Sequence, residues 1–590
     1  MTRWADDTLL LVCSRLAHGD EGAPGQPYVE PDGAAAAFDG VVFNLGELQG
    51  EVGRPGASEV EVLLAGLCEH GPGFLRRVDG QFALVARCSA GGPVLLARDR
   101  FGIAPLYWAP TATGVAAGSN LPAVPALRGD PRSGTGTRFD HDGLVSILAD
   151  WAPTGSLTPY AGVHQVRPGH IVTVATDAGT PRVVSDERWA PTPVSALKPS
   201  ASASPSEDEI VQLEAAVRES VRARMRSTGR VACLLSGGID STIIGAIARD
   251  EGASLGLALA LEGDDLVAGR QREVAEALGI DLVQHQLVPR EVVDTFEAYV
   301  RTRRMPLVRL GPVGMTALAR RARAEGISGV LSGEGADELF AGYDSYRILA
   351  AREGRFGDPR RLPWAQFGVP EFGAGRGAVW ARSYWRGLVS FSASAGSRRL
   401  DILRPVNDLL RSPLRDAVLG AAPTRPDEHS PAADPLEARR QVDLAHLLGG
   451  YLLTVQGDHA WMEERVELRP PYLASPVADW ALSRDVREFV RISEGKTPIR
   501  ALLPRLAQQR PALAGLGFAK AAFRVDVAFV VREPEQFDRL AGFALGCPDD
   551  LVDRAALRTR IDAIRAAGTC SEAESELLTF AASLGVLGQG

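Results

Sequence analysis

Between Val231 and Ala248 the chain reads VACLLSGGIDSTIIGAIA: an apolar run stops at Ser-Gly-Gly, and Asp240 and Ser241 open a helix. A parallel strand that ends in a glycine-rich turn before a helix N-terminus aims several unpaired N–H groups at one point. Such a nest binds phosphate. Gly237 and Gly238 let the backbone approach closely, while Ser236 and Ser241 add hydroxyl donors. Asp240 is an anion beside an anion site, which makes sense where it holds Mg²⁺ and the metal reverses the local repulsion. The spacing is neither that of a Walker loop nor that of a dinucleotide fingerprint. A tight strand-to-helix turn capped by Asp240 is the plainer alternative.

A second stretch, GVLSGEGADELFAGYDSYR from Gly329 to Arg347, repeats the pattern: a strand at Gly329–Leu331, then an acidic loop from Ser332 to Glu338. Two such strand ends in one parallel sheet face the same crevice, where open α/β sheets bind ligands. Asp337 can then give Mg²⁺ its second carboxylate, and Glu334 is left for proton transfer. In isolation the stretch would read as a solvated acidic turn.

The length of 590 residues requires two domains or more. Residues 192–206, TPVSALKPSASASPS, have a linker composition, and Ser206 with Glu209 makes a capping box for a new helix. Ile210, Leu213, Val217 and Val221 follow at helical spacing. The expected division is therefore 1–191, a linker at 192–206, and 207–590. Before the linker, short strands alternate with turns around one helix, SEVEVLLAGLCEHG; after it, strands alternate with helices, which argues for a parallel sheet. From about 345 onward the pattern is mostly helical. The fold class expected is α/β in two domains.

The net charge of −9 disfavours a nucleic-acid partner. There is no run of 18 uncharged apolar residues and no signal-peptide order at the N-terminus. Six cysteines without a CxxC pair suggest reduced thiols in the cytoplasm rather than zinc.

LLSGGIDST together with LSGEGADELFAGY resembles the asparagine synthetase superfamily, whose synthetase domain is a PP-loop ATP pyrophosphatase. FDGVVFN, VDGQFALV, LLARDRFGIAPLYW and LTPYAGVHQVRPGH are similar to its class II glutamine amidotransferase domain, an Ntn-type layered α+β sandwich. VELRPPYLASPVADWAL and EGKTPIRALL match its later stretches. The resemblance implies adenylation of a carboxylate by ATP·Mg²⁺, followed by attack of an amine. It implies pyrophosphate binding by Ser236, Gly237, Gly238, Asp240 and Ser241, and Mg²⁺ ligation by Asp240 and Asp337. Ser332 and Gly333 would meet AMP, with Leu259 near the adenine. Glu334 takes the place of a catalytic acid or base, and Lys496 with Arg500 that of the charge-stabilising pair.

Departures from the family pattern narrow the expectation. Glutamine-dependent members expose an N-terminal cysteine; position 2 here is Thr2, and Cys13 lies in an apolar run. A threonine with its own amine is a possible nucleophile, but the oxyanion-hole Asn-Gly is Asp39-Gly40, whose anion would repel a developing oxyanion. The glutamine-holding SD-x-E stretch is SEVE, with Glu59 in place of Asp. No glutaminase activity is expected. An acidic run that holds aspartate in the family is RTRRMPLVRLGPVGM here, with Arg301, Arg303, Arg304 and Arg309, and PFLD has become Pro471-Tyr472-Leu473-Ala474. A site for free aspartate would keep such polar partners.

Without delivered ammonia, an amine on the substrate itself is the economical nucleophile. Lasso peptide cyclases join a peptide's N-terminal amine to an Asp or Glu side chain, and β-lactam synthetases close a small ring on a β-amino acid. The retained Glu334 and the long Arg- and Trp-containing region 352–388 favour the lasso cyclase. Ammonia-dependent amidation and a non-catalytic scaffold are the other readings, the latter weakened by the intact Asp240, Asp337, Glu334 and Lys496. A lasso cyclase implies a precursor core peptide as substrate, with a leader peptidase and a leader-binding (RRE) protein as partners.

Overall fold

The computed structural model describes residues 2–5, 10–13, 26–111, 114–124, 138–175, 181–191, 204–226, 229–355, 404–412, 414–420, 434–518 and 524–589. The expected linker at 192–206 and the Arg- and Trp-containing region 352–388 lie mostly outside them.

In the first part an antiparallel sheet of six strands runs in the order 182–188, 170–175, 94–98, 80–87, 35–42, 28–29. Successive side chains of a strand point to opposite faces, and Gly80–Arg87 uses both. Phe82, Leu84 and Ala86 pack under the helix Glu59–His70, while Ala83 packs with Leu96, Leu106 and Trp108 toward a second, three-stranded sheet. Burial on both faces explains why GQFALVAR reads as a nearly continuous apolar run. The predicted helix face Val60, Leu63, Leu64, Leu67 is buried.

The expectation of reduced thiols fails for one pair. Cys68 and Cys88 form a disulfide, with their Cα atoms 5.3 Å apart. The helix end and the strand end that carry them are neighbours only because the helix packs on the sheet, so spacing along the chain holds no sign of it. Cys233, Cys547 and Cys570 are free thiols. Among the described residues no helix is long and apolar enough to cross a membrane.

The helix Glu207–Met225 opens with the expected box: the Ser206 N–H donates to Glu209 Oε2 at 2.7 Å. Its stripe Ile210, Leu213, Val217, Val221 is buried. It leads into a five-stranded, all-parallel sheet in the order 281–287, 255–261, 230–234, 327–331, 467–469. The chain leaves the central strand toward one edge and later returns to its other side, so the strand order reverses between 230–234 and 327–331. Such a switch point opens a crevice at the carboxyl ends of the two strands. The short strand Glu467–Arg469 falls in the stretch that reads as helical from its sequence. All three of its residues are buried, and Arg469 Nε donates to Glu467 Oε2 at 2.7 Å, so two charged residues form a sheet edge by pairing with each other.

Candidate active site

Both glycine-rich loops lie at this switch point. In the first, Gly237 has φ +81°, a conformation that suits glycine. The N–H of Ser236 donates to Ser241 Oγ at 3.2 Å, the two hydroxyls lie 3.0 Å apart, and the Ser241 and Thr242 hydroxyls donate to the Gly238 carbonyl. The serines thus shape the loop as well as line it. The helix Ile239–Asp250 begins at Gly238, with no side chain capping it. Asp240 is therefore not its cap, which removes the plainer reading of this stretch.

In the second loop the Ser332 N–H donates to the Arg469 carbonyl at 3.1 Å. A Cβ at Gly333 would lie 3.1 Å from both Asp240 Cβ and the Ser241 nitrogen, so that glycine brings the two loops into contact. Gly335, at φ +91°, leaves room for Leu473, whose Cδ2 would be 2.3 Å from a Cβ there.

Lys496 joins the loops. It precedes the helix Thr497–Gln509 at φ +56°, is 5% exposed, and places Nζ 2.5 Å from Asp240 Oδ2 and 2.9 Å from Asp337 Oδ1. Left-handed backbone at a non-glycine residue costs on the order of 1–3 kcal/mol and persists where surrounding contacts over-determine it. Those contacts are visible: a Cβ at Gly342 would lie 2.0 Å from Lys496 Cε, and one at Gly495 would lie 2.3 Å from the Ala341 carbonyl oxygen.

Two carboxylates contact this one ammonium, and two more, Glu334 and Glu338, lie near them. Burial, followed by the charges of Asp337 and Asp240, pushes Glu334 up to about 7. Burial and the charges of Asp337 and Glu334 also raise Glu338, which accepts a hydrogen bond from the Tyr343 hydroxyl. For Lys496 burial works against the charged form, yet Asp240 and Asp337 hold it above the ordinary lysine range. An excess of hard oxygen donors over cationic charge suits Mg²⁺, which takes one or two protein carboxylates and completes its shell with phosphate oxygens and water. The donor set of Asp240 and Asp337 fits that ion.

The other expected residues are placed less centrally. Leu259 is buried in the strand next to 230–234, and its carbonyl accepts from Gln271 Nε2 at 2.8 Å. Arg500 stands one turn into its helix and donates to the Gly495 carbonyl at 3.1 Å, with Glu494 Oε2 at 3.3 Å. Those contacts brace the turn before Lys496 and do not reach the carboxylates. Sequence reasoning missed Tyr472, whose hydroxyl donates to the Asp240 carbonyl at 3.2 Å, and Glu338 with its partner Tyr343. The motif RPPYLAS holds the signal for the first of these, in the tyrosine two residues before Ala474.

Several arginines of the 301–309 stretch already have partners within the chain. Arg301 pairs with Glu297 at 3.1 Å, Arg303 with Glu463 at 2.9 Å, and Arg309 lies over the Trp151 ring at 4.1 Å. In the N-terminal part, residues of the amidotransferase-like motifs are bonded to the protein's own chain. Glu59 accepts the Val42 N–H at 2.8 Å, and Asn44 Oδ1, at the end of FDGVVFN, accepts the Asp79 N–H at 3.0 Å. A Cβ at Gly40 would lie 2.0 Å from the Gln81 carbonyl oxygen, so strand pairing alone requires that glycine.

Comparisons with known proteins bear on the family of the chain. The family description "Asparagine synthase" matches residues 212–510, and "Glutamine amidotransferase domain" matches residues 1–185. The chain is 28% identical over 345 residues to the amidase chyE of Penicillium rubens, covering 55% of this chain and 49% of that protein. It is 29% identical over 490 residues to a Mycobacterium tuberculosis protein provisionally named a glutamine-hydrolyzing asparagine synthetase, covering 78% and 70%. With asparagine synthetase B of Escherichia coli, also named glutamine-hydrolyzing, the identity is 28% over 366 residues, 58% of each chain. The chain spans about half the length of the amidases, the curated relatives it matches first.

Proposed function

The chain belongs to the asparagine synthase family, and from that premise we propose that it is an ATP-dependent, amide-forming ligase that adenylates a carboxylate and joins it to an amine. The observation that carries this reading is the convergence of Lys496, Asp240, Asp337 and Glu334 on the switch point of the parallel sheet.

In this reading the loop Ser236–Ser241 receives the pyrophosphate part of ATP with backbone N–H groups at an uncapped helix N-terminus. Ser332 and Gly333 border the AMP part, and Leu259 the adenine. Asp240 and Asp337 would hold Mg²⁺, which when bound supplies charge stabilisation to the phosphates. The Lys496 ammonium stabilises negative charge that grows at the α-phosphate as the carboxylate attacks. Glu334, with its proton affinity raised to about 7, is suited to accept a proton from the attacking amine near neutral pH. Arg500 acts through the turn that sets Lys496. Replacement of either Mg²⁺-holding aspartate, Asp240→Ala or Asp337→Ala, is expected to abolish pyrophosphate release. Near-wild-type release from either variant would remove the assignment.

The finer reading is a lasso peptide cyclase, which forms a macrolactam between the N-terminal amine of a leader-free core peptide and an Asp or Glu side chain. It is supported by Asp39 at the oxyanion-hole position, and by Glu59, Asn44 and Gly40 serving internal contacts. No glutaminase step then feeds the site, and a substrate amine within the same molecule gains from effective molarity. A leader peptidase and a leader-binding (RRE) protein are the partners this reading requires, in the cytoplasm.

Similarity to proteins named asparagine synthetases favours a second reading, ammonia-dependent amidation of a carboxylic acid. Mass spectrometry of a leader-free core peptide, incubated with the enzyme, its two partner proteins and ATP·Mg²⁺, separates the two. Loss of one water with release of AMP and pyrophosphate is the expected result. An unchanged peptide together with ammonium-dependent conversion of ATP to AMP and pyrophosphate, with a small carboxylic acid turned into its amide, would replace the cyclase by the amidating ligase.

A further inference from the structure

The motif VDGQF, which the adenylation chemistry does not use, is tied to the wall of the active site. Strand 80–87 ends its pairing with 35–42 at Gly80, so Asp79 and Gln81 project where the first sheet meets the parallel sheet. Gln81 Nε2 donates to Glu467 Oε1 at 3.0 Å and to the Leu468 carbonyl at 3.2 Å. Asp79 receives both terminal nitrogens of Arg224 at 3.2 Å and the Ser475 N–H at 3.1 Å. Arg224, 1% exposed, also stacks over Phe43 at 4.1 Å. A two-pronged contact between a buried guanidinium and a carboxylate fixes orientation as well as distance.

The segment held at both ends, 467–475, touches each catalytic loop between those ends. Its Arg469 carbonyl accepts the Ser332 N–H at 3.1 Å, and its Tyr472 hydroxyl donates to the Asp240 carbonyl at 3.2 Å. Leu473 fills the space that glycine leaves at Gly335. Arg469 Nη1 donates to the Arg224 carbonyl at 2.7 Å and the Ser220 hydroxyl to the Pro471 carbonyl at 2.6 Å, closing the network.

We infer that Asp79 and Gln81 are positioning residues for ATP binding: the amidotransferase-like domain sets the height of the 467–475 segment, and through it the two phosphate-side loops. This inference rests on the adenylating reading of the site. It also assigns the N-terminal domain a task that requires no glutaminase. Removing one clamp lets 467–475 move as a unit, and the loops it contacts lose alignment together.

The test uses the full chain with Mg·ATP as the probe, in calorimetric titration and hydrogen exchange. Gln81→Ala and Asp79→Ala are expected to weaken Mg·ATP binding by roughly three- to thirtyfold. Both are also expected to speed exchange in peptides covering 329–343 and 467–475, with the helix 311–324 unchanged. Asp79→Asn, which keeps an acceptor for the Ser475 N–H but turns an amide N–H toward the buried Arg224, is expected to recover only part of the affinity, which separates the two contacts of this clamp. In a double-mutant cycle the effects of Gln81→Ala and Glu467→Ala are expected to be less than additive, because part of each passes through the contact they share. A wild type that does not bind Mg·ATP would overturn the adenylating reading itself. Wild-type binding with unchanged affinity and exchange in folded Gln81→Ala and Asp79→Ala proteins would overturn only the positioning role. Gln81→Asn serves in place of Gln81→Ala if the latter does not fold.

Discussion

Lys496→Ala is expected to lower turnover by about three orders of magnitude. The ammonium sits between Asp240 and Asp337, at 2.5 and 2.9 Å. Its loss leaves Asp240, Glu334, Asp337 and Glu338 crowded in a pocket where Glu334 and Glu338 are already pushed toward protonation. Removing one partner of a buried ion pair typically costs about 3–5 kcal/mol of stability, so the variant should also melt earlier. Added Mg²⁺ should recover part of the stability without the turnover, since a cation at the carboxylates relieves their repulsion but does not replace the ammonium at the reacting phosphate. ATP–pyrophosphate exchange with the acyl substrate present is the measurement. Exchange within a few-fold of wild type would place Lys496 outside the reacting centre.

Glu334→Gln is expected to give a protein that is more stable at pH 8 and nearly inactive. Folding raises the proton affinity of Glu334 from the ordinary 4.5 to about 7. A carboxyl raised in the folded state contributes stability that is fully present below about 4.5, and that contribution is lost as pH rises through about 7. Above that window the wild type must hold an ionised Glu334 among like charges, and the neutral amide does not. Each tenfold change in proton affinity corresponds to about 1.4 kcal/mol, and partial solvent access reduces the sum, so the gain at pH 8 should be about 1–3 kcal/mol. It should shrink as pH falls from about 7, be small at pH 5 and vanish below about 4.5. Activity should fall by about 10²–10⁴-fold, the usual share of a general acid or base. Thermal melts of the ligand-free variant and wild type at pH 5 and pH 8, together with turnover, provide the comparison. Equal melting at both pH values would mean that Glu334 ionises without cost and has no raised affinity to use.

The sequence by itself determined the local pieces. The strand, loop and helix of each glycine-rich stretch follow from residues adjacent in the chain. The capping box at Ser206 and Glu209, the buried stripe of the following helix, and the parallel sheet implied by alternating strands and helices are equally local. Asp240, Glu334 and Asp337 were legible as candidates for the same reason. What only the tertiary structure decided is how pieces far apart in the chain meet. Lys496 reaches Asp240 across 256 positions, on a backbone conformation that side chains rarely adopt and that Gly342 and Gly495 make room for. The strand Glu467–Arg469 is too short and too charged to carry a periodic signal, and it exists because Glu467 and Arg469 neutralise each other beside a strand that is already formed. Arg500 matched a motif, yet helix geometry turns it toward Glu494 and Gly495. Cys68 and Cys88 pair because a helix docks on a sheet, and Asp79 and Gln81 found partners in the other domain. Local patterns fix elements; contacts between distant elements depend on register and packing, which no single stretch of the chain contains.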